Sequence, residues 1–404
     1  MHGTRLRARA ARAARAVCLA ALLGTALAPA AAQTVAARAV GKVLAELPEP
    51  FSAVSDVREL SDGRLVVLDV KDNVLRLVSA DLATVQPIGR EGSGPTEYRR
   101  ITQLLPRRGD STLGYDVMNA RFLVIDNKGA ATSVLSLRDA AGGLPVGPMA
   151  VRGYDPMGRL LFQGMKLSMG PNGPALSDTA PLLRLDPARK RVDTLSAVRI
   201  GSPGMKMSGD VQKGSGALRL TIPAYPVVDE WGMLPDGRVV VFRGADYRME
   251  FISTTGQVTS KGPVPYTRVR VTDADKVALR KTQQEMQKEI ARAMTGARAA
   301  APAGKSAPKM PSMQVDEPTE WPEYKPAFGQ TSLKIAPNGE LWMARLGAAG
   351  HEAQHWDVFT STGELRLRAE LPPKTKLVGI GASYLYTVRI DDDELQYLER
   401  RARP

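Results

Sequence analysis

The chain has 404 residues, a formal net charge of +13, three histidines and one cysteine. That length with a single cysteine excludes a small disulfide-stapled fold, so a large apolar core has to hold the molecule together. The positive charge is spread over scattered Lys and Arg with few aromatics between them, which argues against nucleic acid as a partner.

Residues 1–32 read as a signal peptide. Arg5, Arg7, Arg9, Arg12 and Arg15 form a cationic start, Val17 to Leu27 an apolar run, and Ala30-Ala31-Ala32 the small residues before Gln33. The apolar run is about half of the roughly 20 residues that a spanning helix needs, so cleavage is expected and a membrane anchor is not. The expected location is the periplasm or the exterior. Cys18 lies in this segment, so the mature chain has no thiol, and loss of the five arginines takes the charge from +13 to +8.

From residue 33 to 404 one unit recurs: a strand, a tight turn, a strand ending in a polar loop, a third strand, a turn and a fourth strand. The first copy runs VSDVREL, Ser61-Asp62-Gly63, RLVVLDV, Lys71-Asp72-Asn73, VLRLVSA and TVQPIG. Asp-Gly between alternating apolar segments is a hairpin signal, because glycine accepts the positive φ of such turns. The second copy starts near Ile101 with STLGYDV, RFLVID and ATSVLSL. The third is looser, from about Val146 to Arg199, with Met157-Gly158-Arg159 as its first turn. The fourth gives VVDEWGML, RVVVFRG, YRMEFIS and QVTSKG, and the fifth TSLKIAP, ELWMARL, HWDVFTS and ELRLRAEL. The sixth, with LVGIG, SYLYTVRI and ELQYLER, lacks a fourth strand, which VAARAVGKVLAEL at the mature N-terminus can supply. Six four-stranded repeats predict an all-β, six-bladed β-propeller, in which radial closure leaves no long open sheet edge.

IGREGSGPTEYRR at Ile88 to Arg100 and GDSTLGYDVMNARFLVIDNKG at Gly109 to Gly129 carry a family resemblance. They resemble the connector G-R-x-G-x-G-P-x-E-[FY] and a recurring blade of secreted bacterial six-bladed propellers related to NHL-repeat proteins. YLYTVRIDDDELQYLERRA is similar to their closing blade. The resemblance implies the architecture; the family is largely without assigned activity.

Between the fourth and fifth repeats the strand period stops. From Thr272 to Arg298, Leu279, Met286, Ile290, Ala293 and Met294 fall at helical spacing, with Thr272 and Asp275 as the N-terminal cap. Such a helix is about 40 Å long. AAAPAGKSAPKMPSM follows as a mobile Ala/Pro/Lys linker, giving an insertion over 272–320 that is decorative, a lid over the channel or a docking arm.

If each blade runs outward from the axis, its second-to-third-strand loop and its connector open on one face. This gathers Asp69, Lys71, Asp72, Asn73, Asp116, Asn119, Arg121, Arg243, Asp246, His351 to His355 and the connector Arg90 to Arg100. Arg90, Arg99, Arg121 and Arg243 are the candidate anion or hydrogen-bond donors, with Asp72, Asn119 and Asp246 beside them as ligand-binding residues. Asp and Asn are also ordinary turn formers that bond to their own backbone.

HEAQH at His351 to His355 matches the zinc-protease pattern H-E-x-x-H, but that chemistry needs a helix, and the segment runs into a strand. Gly304-Lys305-Ser306 lacks the glycine of a phosphate loop, having Ala299 in its place, and Asp391 to Glu394 lacks the spacing of a calcium loop. No catalytic residue is assigned. The expected function is an exported, non-catalytic binding or scaffolding propeller that recognises a protein, peptide or glycan on its loop-rich face. The alternative is a hydrolase of esters or lactones using a divalent metal, Ca²⁺ or Zn²⁺, in the central channel, where Asp69, Asp116 and Asp246 are the acidic candidates.

Overall fold

The computed structural model describes residues 35–137, 151–164, 166–170, 173–201, 204–208, 216–299, 312–350 and 353–404. Val35 to Pro404 form one unit. The signal-peptide reading, and with it Cys18, falls outside the described residues, as do Gly304-Lys305-Ser306, His351 and Glu352.

Six antiparallel sheets follow one another along the chain. Blade 1 has strands Val54–Glu59, Leu65–Asp69, Val74–Val78 and Val85–Pro87. Blade 2 has Ile101–Pro106, Thr112–Asp116, Arg121–Ile125 and Ala131–Ser136. Blade 3 has Val151–Tyr154, Leu160–Gln163, Thr179–Asp186 and Arg191–Arg199. Blade 4 has Glu230–Met233, Val239–Arg243, Arg248–Ile252 and Val258–Lys261. Blade 5 has Leu333–Ile335, Leu341–Ala344, His355–Phe359 and Leu365–Glu370. Blade 6 has Thr375–Ile380, Tyr384–Ile390 and Gln396–Ala402, and its fourth strand is Val43–Glu46 from the other end of the chain. Val43 there faces Arg401 and Glu46 faces Glu399 in antiparallel register. The chain ends therefore close the ring, as the short sixth repeat demands. A further strand, Ala37–Ala39, was not foreseen and adds in parallel to the outer edge of blade 5.

The hairpin turns follow from their glycines. Gly63 and Gly237 sit at φ +85° and +84°, where a Cβ would be strained. The core is six wedges of apolar side chains, one between each pair of consecutive blades. Val57, Val67, Tyr386 and Val388 join blades 6 and 1, for example, and Trp231, Val241, Leu161 and Leu182 join blades 3 and 4. Near the axis the blades crowd: a Cβ on Gly379 would stand 2.6 Å from the carbonyl oxygen of Val57 on the next blade.

Two features lie outside the blades. Blade 3 carries a hairpin, Leu167–Gly170 with Gly173–Leu176, between its second and third strands. Strands Gly204–Ser208, Ala217–Thr221 and Ser312–Asp316 form a separate small sheet, the last two in parallel. Ser312 and Met313 correct the linker reading at its end, because they begin a strand that pairs with a segment about a hundred residues earlier.

The helix spans Asp273–Ala299. Thr272 and Asp275 form a reciprocal cap: the Thr272 amide donates to Asp275 Oδ2 at 2.8 Å, and the Asp275 amide to Thr272 Oγ1 at 3.3 Å. Leu279, Met286 and Ile290 lie half-buried along with buried Gln283, whereas Val277 is exposed. The side chains of Ala293 and Met294 are outside the described residues. Gln287 ties the helix to the small sheet through Met313 O and the Val315 amide. No helix among the described residues is long and apolar enough to cross a membrane.

Candidate functional site

The first strand of every blade faces the axis with one edge unpaired, so its backbone groups need partners from elsewhere. Side chains of neighbouring blades supply several of them. Asp56 of blade 1 accepts the Leu104 amide of blade 2 at 3.0 Å. Glu230 of blade 4 accepts the Thr331 and Leu333 amides of blade 5 at 2.8 and 3.4 Å. The Lys334 ammonium of blade 5 donates to Val378 O of blade 6 at 3.0 Å, and Ala382 of blade 6 donates to Glu59 of blade 1 at 2.7 Å.

These strands enclose a central cavity of about 1170 Å³ with all six blades in its wall. Most of its charges are matched. Arg58 bonds Asp110 and Thr112, Arg152 bonds Glu230, Arg345 bonds Asp357, Asp155 bonds Arg159, and Glu59 accepts the Tyr386 hydroxyl. Four cations remain: Lys376, Arg107 and Arg108 have no ion-pair partner among the described residues, and Lys334 donates only to a carbonyl. Two lumen carboxyls, Asp56 and Glu59, have no hydrogen-bonded cation among the described residues: Asp56 accepts an amide, and Glu59 an amide and the Tyr386 hydroxyl. Burial raises the Asp56 carboxyl above the usual carboxylate range, opposed by the charge of Lys334 and the Leu104 and Val57 amides. Burial, with the neighbouring Lys334 ammonium, pulls Lys376 below the ordinary lysine value.

One end of the cavity also meets the loop after the second strand of blade 5, through Arg345, Leu346 and Gln354. That loop is held by the helical insertion: buried Asp275 accepts the Ala349 amide at 2.8 Å, and buried Lys325, paired with Asp275, donates to Gly347 O. At the opposite end, where the first strands finish, Arg107, Arg108, Tyr154, Pro156, Met157 and Gly158 surround a smaller hollow.

None of the seven candidate binding residues lines the central cavity. All stand on blade rims, and the contacts recorded for them are mostly with their own fold. Arg121 donates to Ser93 O, Gly94 O and Glu97 O, shaping the connector. Arg243 is bound by Asp229, Glu250, Ser196 and Ala197 O. Asn119 bonds Asp116 and Gly92 O, Asp72 accepts the Ser52 hydroxyl, and Asp246 pairs with Arg248. Arg90 is 82 % exposed and pairs with Glu97. Arg99 is exposed, and its backbone amide donates to Asp116 while its carbonyl accepts Asn73 Nδ2. The structure brings Asp116, Asn119, Arg121 and the connector together as one loop assembly and leaves Arg243 and Asp246 apart on blade 4.

The acidic candidates do not converge on the axis. Asp69 and Asp116 are buried at the ends of second strands and each collects backbone amides: Ser52, Ala53, Lys71 and Asp72 for the first, Arg99, Arg100 and Asn119 for the second. No three His, Cys, Asp or Glu among the described residues could hold a metal ion together. Ca²⁺ wants about six to eight oxygens, whereas the carboxylates in and beside the lumen are engaged by amides, a hydroxyl, Arg58, Arg152 and Arg159, so these residues do not fit that ion. His355 begins a strand opposite Glu370, as the sequence indicates. Asp391 to Glu394 form the turn between the last two strands.

Sequence reasoning did not single out the lumen groups Asp56, Lys334 and Lys376. The available signal was a charged residue interrupting a blade's first strand, as in VSDVREL and TSLKIAP.

No family model matches the chain, and no curated protein matches it. Among solved structures it is similar to a protein of Bacteroides fragilis NCTC 9343 described as exported, at 13% identity over 91% of this chain and 95% of that one, with a TM-score of 0.45. A protein described as a gluconolactonase gives 12% identity, 91% and 94% coverage and 0.41. The calcium-binding protein regucalcin of Agrobacterium tumefaciens str. C58 gives 15%, 91% and 97%, and 0.37. The six-bladed assignment rests on the strand pairing above.

Proposed function

We propose that the protein is an exported binding propeller that takes a carboxylate-bearing ligand into its central channel, without processing it. Export is read from the N-terminal segment alone. The observation that carries the binding reading is the charge balance of the lumen: four cations outside ion pairs, Lys334, Lys376, Arg107 and Arg108, face two such carboxyls, Asp56 and Glu59. A concave site with a few convergent polar groups is the usual form of a ligand pocket, and cations in a confined low-dielectric space attract an anion more strongly than the same charges do in water. A peptide C-terminus and a sugar acid present the same group, so the chemistry is named and the source is left to the test.

The test is thermal unfolding with acidic and neutral peptides and with uronate and neutral oligosaccharides. A ligand at a hundred times its Kd stabilises the native state by about 2.7 kcal/mol. An acidic member of one class raises the melting temperature, its neutral counterpart does not, and Lys334→Gln/Lys376→Gln abolishes the response. Arg90→Ala and Asp72→Ala leave it intact. A response that survives the channel double variant and disappears with the rim substitutions overturns this reading and restores the loop-rich face as the site.

A further inference from the structure

In three blades an arginine directly follows the turn glycine of the first hairpin: Arg64 in blade 1, Arg159 in blade 3 and Arg238 in blade 4. Arg64 reaches the next blade, where its Nη1 and Nη2 donate to Lys128 O and Asn127 O at 2.8 Å each. Arg238 bonds Asp236 and lies over the Phe251 ring. Arg159 is buried and also points to the next blade: its Nη2 stands 3.8 Å from the place a Cβ would take on Gly237 of blade 4. Its Nε donates to Asp155 at 2.6 Å, but Nη2 has no hydrogen-bond partner among the described residues.

A second buried arginine shares that face of blade 3. Arg184 lies opposite Leu161, and Arg159, two residues before Leu161, is its diagonal neighbour. Leu161 and Leu182 on this face pack on Trp231 and Val241, so both arginines sit in the wedge between blades 3 and 4, at the end where the first hairpins turn. Arg184 Nε and Nη1 have no hydrogen-bond partner among the described residues, and Nη2 stands 3.7 Å from Asp193, which Arg191 also bonds. The other acids of this end are engaged: Asp155 by Arg159 and the Met157 amide, Asp186 by Arg189. The arginines therefore outnumber the carboxylates. Burial, and after it the charge of Arg159, pull the Arg184 guanidinium below its ordinary value, in keeping with two cations held close together.

We propose that the wedge between blades 3 and 4 binds a small monovalent anion of the chloride type, held between Arg159 Nη2 and Arg184. A charged acceptor satisfies both guanidiniums and cancels the excess positive charge, which a neutral acceptor does not. In a buried place that attraction is stronger than in water. The anion does for Arg159 what the Asn127 and Lys128 carbonyls do for Arg64, joining one blade to the next. This site is separate from the central channel and stands whether or not the channel takes a ligand.

The experiment follows thermal unfolding of the purified protein while chloride replaces methanesulfonate at constant ionic strength. The melting temperature is expected to rise by a few degrees and to level off as chloride saturates the site. Arg184→Met removes the rise, whereas Lys334→Gln/Lys376→Gln in the channel leaves it intact. No rise, or a rise that Arg184→Met keeps, overturns the proposal. A rise lost with the channel pair and kept by Arg184→Met places the anion in the lumen and overturns it as well. A crystal structure of the parent protein grown in bromide gives a readout that needs no variant. An anomalous peak against both guanidiniums supports the site, and no peak there overturns it.

Discussion

Replacing Asp275 by Asn lowers stability by about 3–5 kcal/mol in denaturant unfolding, the range for a buried ion pair that loses one partner. Asp275 is fully buried and Lys325 only 5 % exposed, so the variant strands an ammonium with the Gly347 carbonyl and the face of the Tyr225 ring as its remaining company. It also weakens the cap on the helix and releases the Ala349 amide. The double variant Asp275→Asn/Lys325→Met recovers most of the loss, because the cost is the unpaired charge, and leaves a residue of about 1 kcal/mol from the damaged cap. Burial opposes ionisation of Asp275, yet the hydrogen bonds from Lys325, Thr272 and Ala349 outweigh it and hold the carboxyl at about 2. A carboxyl lower in the folded than in the unfolded state adds stability above its unfolded value of 3.8, and that share is lost as pH falls toward 2. The gap between the parent and Asp275→Asn therefore narrows over this window. A single variant within about 1 kcal/mol of the parent, well below the loss set by a stranded charge, would remove the pair as the anchor between helix and channel-mouth loop.

Asp116→Ala is expected to cost about 3 kcal/mol or more, since each buried donor left without an acceptor costs about 1–3 kcal/mol. Its carboxylate is fully buried and takes the Arg99 and Arg100 amides at 3.0 Å each and Asn119 Nδ2 at 2.7 Å. The same loop in blade 1 offers the control. Asp72 is exposed and accepts one hydroxyl, from Ser52, so Asp72→Ala shifts stability by no more than about 0.5 kcal/mol. Equal effects from the two substitutions would show that the rim acids are not sorted into buried organisers and surface turns in the way the hydrogen bonds indicate.

The blades were legible where local chemistry and fold agree. SDG, PDG and NG turns force positive φ, and short continuous apolar runs such as those in RLVVLDV and RVVVFRG set the buried second strands that follow them. The closing strand at Val43–Glu46 followed from arithmetic, since the sixth repeat is one strand short. The extra hairpin of blade 3 was hidden because MKLSMGPNGPAL is punctuated by Gly and Pro and has no clean alternation. The strand at Ser312–Asp316 was hidden because its partner, Ala217–Thr221, lies in another insertion and no local pattern announces a non-local parallel pair.

The lumen lining was harder to read than the fold. Polar loop residues attract attention, yet Arg121, Arg243 and Asn119 are occupied in holding the loops that carry them. The lumen groups lie in strands, at positions whose outward or axial direction is known only once six blades have closed. Asp56 lies hundreds of residues before Lys334 and Lys376, and ring closure alone makes blade 1 the neighbour of blade 6.

The most direct test of the channel as binding site is a crystal structure with the carboxylate ligand selected by thermal unfolding. The account predicts the carboxylate in the lumen, at about 3 Å hydrogen-bonding distance from Lys334 or Lys376. A ligand seated on the rim at Arg90 and Arg99, with the channel unoccupied, would contradict it.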